Sequence, residues 1–129
     1  MVALWIVAIG GACGSLLRYV ISEFVTRLSA GIFPWGTMSV NLIGSFAIGV
    51  VWQLVENGSL SPNARLFLIS GFMGAFTTFS TFTLENVHLL QGSNYRLFLY
   101  NILVKNIIGI CLVAMGMAVC RHSVSLFKA

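Results

Sequence analysis

Charge is what this chain has least of. Of its 129 residues, 8% are charged and 58% are hydrophobic, and the mean hydropathy is +0.96. Soluble domains carry about 25% charged residues. A water-soluble fold of this length has no way to hide so much apolar surface, so the composition excludes that class and points to an integral membrane protein of one domain, residues 1–129. Acidic groups are scarcer still: Glu23, Glu56 and Glu85 are the whole set. All three fall near the ends of predicted spans, which argues against a small proton-coupled exporter needing a carboxylate deep in its bundle. The net charge of +4 contains no Lys/Arg run, so nucleic-acid binding finds no support. Cys13, Cys111 and Cys120 are isolated, no CxxC occurs, and His88 and His122 lie far from them. That spacing speaks against a thiolate metal site or a disulfide framework. The first residues lack the basic stretch of a signal peptide, and the expectation is that they form a retained first span.

What is present is four apolar runs. The first runs from Val2 to Leu17 and continues through Arg18 and Tyr19 as an interfacial end carrying Glu23 and Arg27. Gly10 and Gly14, with Gly11 and Ser15, place small residues on one face, which either invites a close helix neighbour or reflects ordinary glycine enrichment in membrane helices. After a loop containing Gly31 and Pro34, the second run covers Trp35 to Val55. Thr37, Asn41 and Ser45 recur every fourth residue on one face of it. Asn41 at mid-membrane either glues two helices or lines a polar path. Ser61-Pro62 starts a helix, and the third run is predicted over Leu66 to Leu84. The fourth begins near Tyr95, reaches Cys120, and is interrupted by Tyr100, Lys105 and Asn106. A lysine there faces a wet cavity, snorkels, or attracts an anion. Arg121, His122 and Lys128 make a short basic tail at the headgroups.

Four spans put both termini on one side. Outside the spans that side carries Arg65, Arg121 and Lys128, and the other carries Arg27 and Arg96. So small an excess gives little orientation preference. Four short helices also enclose a pore poorly by themselves. An antiparallel, dual-topology homodimer answers both difficulties.

The most informative stretch is Gly71 to Glu85. Five hydroxyls, on Thr77, Thr78, Ser80, Thr81 and Thr83, follow Gly71 and Gly74 inside an apolar run. Glycine weakens a helix and hydroxyls compete for its backbone groups, so a break in the third helix is expected at 74–78. A break frees carbonyl oxygens, which suit small hard cations, and amide donors, which attract anions. Phe76, Phe79 and Phe82 are spaced by three and are expected to share a face. Their ring edges carry the positive part of the aromatic quadrupole. Such a stripe serves either packing or contact with a dehydrated anion. Glu85 is expected to orient Thr or Tyr donors or to end the helix.

Three motifs carry a resemblance. Gly10-Gly-x-x-Gly-Ser-x-x-Arg-Tyr19, Gly36-Thr-x-x-Val-Asn-x-x-Gly44 and Gly71-Phe-x-Gly-x-Phe-Thr-Thr-Phe-Ser-Thr-Phe-x-x-Glu85 stand in the order found in the Fluc (CrcB) fluoride channels, which this sequence resembles along its whole length. The fourth helix departs from the pattern, with Val104 and Lys105 where small hydroxyl residues commonly follow the tyrosine. The resemblance implies passive, selective fluoride efflux across a microbial cell (inner) membrane, through two paths in an antiparallel homodimer. It implies that Phe79 and Phe82 meet fluoride with their ring edges and that Asn41 is the pore asparagine. Ser80, Thr81, Thr37, Glu85 and Tyr100 are candidates for a polar track. The carbonyls of Gly74 and Thr77 match ligands of a central structural sodium ion, and Arg18 and Lys105 are candidate vestibule or anchoring charges. A transporter, or an assembly subunit without transport, would share the composition but not these motifs.

Overall fold

The computed structural model describes residues 1–128, all helix and connecting turns, and the Lys128 side chain of the basic tail lies outside the described residues. Helix α1 covers Val2–Leu28 and α2 covers Trp35–Glu56. Helix α3 spans residues 62–76, with Leu66–Met73 in π-helical geometry. Helix α4 covers Ser80–Gln91. Helix α5 spans 95–128 and has its own π segment at Val104–Ile108. Four stretches, Val2–Leu28, Trp35–Glu56, Pro62–Gln91 and Tyr95–Leu126, are long and apolar enough to cross a membrane. Even the shortest, α2, is about 33 Å long at 1.5 Å per residue, against about 30 Å of hydrocarbon. The chain is a multi-pass membrane protein.

Local signals explain the boundaries. The Ser61 hydroxyl accepts the Ala64 amide at 3.2 Å, and Pro62 opens α3 where no amide donor is needed. Gly31 and Gly58 turn the chain with φ of +109° and +68°. The third run ends later than the sequence suggests. Of the two alternatives for Glu85, ending the helix is not what occurs, since the helix carries it on to Gln91, while a Thr donor, Thr37, does meet its carboxylate. The helix continues because Thr37 and Lys105 bond the Glu85 carboxylate inside the protein.

Packing pairs helices that are not neighbours in sequence. Helix α1 lies along α3, and α2 lies along α5, with a smaller contact between α1 and α2. Both long contacts are backbone to backbone at glycines. A Cβ on Gly10 would stand 2.7 Å from the Phe67 carbonyl oxygen, and one on Gly14 would strike the Phe72 carbonyl. On the other pair, Gly49 abuts the Val113 carbonyl and Gly116 abuts the Phe46 carbonyl. In lipid, association has no hydrophobic drive and depends on such close approach. The small-residue face of α1 is therefore a helix interface.

A larger side chain at these crossings must push two backbones apart. Gly49→Leu and Gly14→Leu are expected to destabilise by about 1–3 kcal/mol or more. Gly11→Ala, whose Cβ would meet nothing closer than 3.9 Å, is expected to be neutral. Detergent-titrated unfolding of the three variants checks this order.

Candidate functional site

The helix of the third span stops at Phe76 and resumes at Ser80. Thr77 between them is extended, with φ −81° and ψ 155°. Asn41 of α2 holds this segment from both sides. Its Nδ2 donates to the Thr78 carbonyl at 3.0 Å, and its Oδ1 accepts the Thr78 amide at 2.9 Å. Gly44, one turn along, lets the segment sit directly on α2, where a Cβ would strike the Thr77 methyl and stand 3.2 Å from the Phe76 ring. Ser45 donates back to the Asn41 carbonyl at 2.8 Å, so the four-residue repeat of α2 is used along its length.

This arrangement redirects the amides that would continue the helix. The Thr78 amide, the natural donor to the Gly74 carbonyl, goes to Asn41. The Thr81 amide, the natural donor to the Thr77 carbonyl, goes to Thr78 Oγ1 at 3.3 Å. The Gly74 and Thr77 carbonyls thereby lose the partners of a continuous helix. The Thr78 hydroxyl donates to Thr81 Oγ1 at 3.0 Å, which leaves the Thr81 hydroxyl hydrogen free.

The segment borders an open cleft of about 450 Å³ lined by Asn41, Ser45, Gly74, Thr77, Thr78, Phe79, Phe82, Lys105 and Asn106, with apolar walls from Ile48, Ile69 and Met73, and Thr81 lies outside this lining. Phe79 is 75% exposed in the isolated chain, and its ring lies 5.8 Å from that of Phe82 at 49°. Phe76 does not join them. It is 2% exposed, packed against Gly44 and stacked 5.8 Å from Phe72. The expected shared face of Phe76, Phe79 and Phe82 fails because the extended Thr77 resets the helical phase between Phe76 and Phe79.

The other candidates divide into two groups. Thr37, Glu85 and Lys105 come together: the Thr37 hydroxyl donates to the Glu85 carboxylate at 2.7 Å, and Lys105 Nζ donates to Glu85 Oε2 at 3.1 Å and to Thr37 Oγ1 at 3.2 Å. Lys105 Nζ also lies 4.7 Å from the centre of the Phe82 ring. The side chains are 5% and 17% exposed for Lys105 and Glu85. Ser80 and Thr81 are exposed at the start of α4. Tyr100 is 46% exposed and packs 5.3 Å from Phe33, and Arg18 is half-buried on α1 outside the cleft lining. Sequence reasoning missed Thr78 as the partner of Asn41 and the pairing of Glu85 with Lys105. Opposite charges in two adjoining apolar runs were the available signal for the second. It also missed the buried Asn86, whose Oδ1 accepts from Asn101 Nδ2 at 2.9 Å.

Among the described residues, no cluster of three His, Cys, Asp or Glu side chains stands ready for a metal. The carbonyls of Gly74 and Thr77, released from their helical partners and belonging to residues of the cleft wall, are oxygen donors of another kind. Hard carbonyl oxygens fit an alkali or alkaline-earth ion.

A family profile described as CrcB-like protein, Camphor Resistance (CrcB), matches residues 5–117. The chain belongs to this CrcB-like family. Relatives named fluoride-specific ion channel FluC run along nearly its whole length. That of Parabacteroides distasonis is 39% identical over 128 residues, covering 99% of this chain and 100% of the relative. That of Azobacteroides pseudotrichonymphae is 43% identical over 114 residues, 88% and 91% of the two chains. That of Agrobacterium fabrum is 41% identical over 123 residues, 95% and 98%. In this CrcB-like chain the Gly71–Glu85 motif supplies both the non-helical segment and the aromatic wall of the cleft.

Asn41→Ala removes both partners of the Thr78 backbone and is expected to destabilise by about 1–3 kcal/mol per group left unpaired. Asn41→Asp keeps an acceptor for the Thr78 amide and sets a second acceptor against the Thr78 carbonyl, so it is expected to retain part of the loss. Unfolding midpoints of the two variants in detergent decide it.

Proposed function

We propose that this chain is a fluoride channel, not an enzyme, working as an antiparallel dual-topology homodimer with a broken third helix and two anion paths. The observation that carries the reading is the cleft itself. A non-helical backbone segment clasped by Asn41 lines it together with the rings of Phe79 and Phe82, and the relatives of similar length are named for fluoride. Polar backbone at membrane depth survives only against protein or water. The open side of the cleft and the exposed Phe79 support a second copy as its cover.

Fluoride is small and strongly hydrated, so a selective path must replace its water with close donors. Asn41 has one amide hydrogen left after bonding Thr78, and the Thr81 hydroxyl hydrogen is free. The rims of Phe79 and Phe82 offer weaker positive edges. Ser80, Thr37, Glu85 and Tyr100 complete the proposed polar track, and Arg18 a vestibule or anchoring charge. Many weak partners favour exit as well as entry. The path is passive, and in a cell (inner) membrane it releases fluoride from the cytoplasm and lowers its toxicity. A structural sodium ion fits the Gly74 and Thr77 carbonyls, with the same pair from the second copy completing a four-oxygen set. Bound there, it would supply positive charge at the dimer centre and would not be cargo.

Proton-coupled export is the second reading, because Glu85 sits within α4 and is largely enclosed. Its engagement by Lys105 and Thr37 favours a fixed counter-charge over a proton carrier.

Liposomes holding the purified protein test the reading. Fluoride efflux without chloride efflux is expected, and Phe82→Ile is expected to slow it about tenfold. A pH gradient driving uphill flux would instead support the exporter. Prolonged replacement of sodium by a bulky organic cation on both sides is expected to abolish the current; an unchanged current refutes the structural ion.

A further inference from the structure

Beside the main cleft lies a second cavity, of about 310 Å³, walled by Pro34, Glu85, His88 and Leu89 among others. The two share no lining residue. What joins them is one ion pair: Lys105 lines the cleft, Glu85 lines the second cavity, and 3.1 Å separates their charged atoms. Thr37 closes the group, donating its hydroxyl to Glu85 and accepting from Lys105.

The charges at this junction set what can cross it. A lone carboxylate in a low-dielectric setting would repel an anion across the whole contact. A lone ammonium would hold the anion and release it slowly. Together they cancel at a distance, yet the junction keeps polar donors. An ammonium has three N–H groups. One goes to Glu85 and one to Thr37, which leaves one over. Nζ also occupies the face of Phe82, the negative side of the ring quadrupole. The electropositive rim of Phe82 is then what remains for an anion in the cleft.

We propose that Lys105 is a charge-compensating residue of the ion path, which lets the anion cross from the cleft to the second cavity by cancelling the Glu85 charge at the junction. The inference rests on the fluoride-channel reading and adds to it a residue that the motifs do not contain. It gives the fourth helix a part in the path through a charge, where a small hydroxyl side chain would offer only a donor.

The test measures fluoride efflux from liposomes at several fluoride concentrations for the wild type, Lys105→Met, Glu85→Gln and the double variant. Lys105→Met exposes the carboxylate and is expected to slow efflux at least about tenfold. The uncharged double variant is expected to recover to within about threefold of wild type, because the repelling group is gone. Glu85→Gln bares the ammonium, and the half-saturating fluoride concentration is expected to fall at least about threefold. This last variant keeps the inference testable if Lys105→Met fails to fold. Efflux by Lys105→Met equal to wild type overturns the inference. So does a double variant as slow as Lys105→Met, since packing and not charge would then explain the loss, and so does an unchanged half-saturation in Glu85→Gln. Absence of fluoride efflux in the wild type overturns the channel reading itself and this inference with it.

Discussion

Everything at the centre of this protein depends on one side chain giving a stretch of backbone what a helix would have given it. At membrane depth an unpaired amide or carbonyl costs several kcal/mol, and no solvent is at hand to relieve it. Asn41 meets both groups of Thr78 and so lets three residues leave the helix. Gly44 removes the side chain that would have kept them at a distance. The redirected amides then leave the Gly74 and Thr77 carbonyls turned to other uses, and Phe79 and Phe82 enter a different angular phase from Phe76. One hydrogen-bonded clasp thus sets the positions of the carbonyls, the hydroxyls and the rings together.

The same economy governs charge. Glu85 comes from α4, which follows the clasped segment, and Lys105 from α5, and each is tolerated only because the other is there. Losing one partner of a buried pair commonly costs about 3–5 kcal/mol, mostly through the charge left behind. Helix α5 brings Lys105 inward within a π segment, and α3 reaches the cleft through another, at Ile69 and Met73. A π turn widens the helix and shifts the register of the residues beyond it, and such turns are frequent at functional sites. Here both widened stretches contribute wall to the same cleft.

Much of this is legible in the residues. Four apolar runs separated by Pro34, Gly58 and Gly92 define the spans, and the glycine and hydroxyl content of 71–83 marks where the third one departs from helix. Asn41 announces a polar role, though not that its partner is backbone. Three things stay hidden, each for a physical reason. Glu85 reads either as a partner for Thr or Tyr donors or as a helix end, and its pairing with Lys105 stays hidden because that partner is distant in sequence. Phe76 reads as part of an aromatic stripe because a period-of-three count assumes an uninterrupted helix. Lys105 and Tyr100 cannot be placed relative to one another because a π segment begins between them, at Val104, and breaks the 3.6-residue phase.

The glycine crossings carry a consequence for how the molecule is made. Helix α1 closes on α3, not on α2, and α2 closes on α5. A chain threaded into the bilayer from its N-terminus therefore cannot zip up as successive hairpins. The first two spans meet each other only in part, and their main glycine crossings wait for α3 in one case and α5 in the other. An interleaved pairing holds biogenesis open until α5 has been made, and α5 is also the helix that brings the lysine.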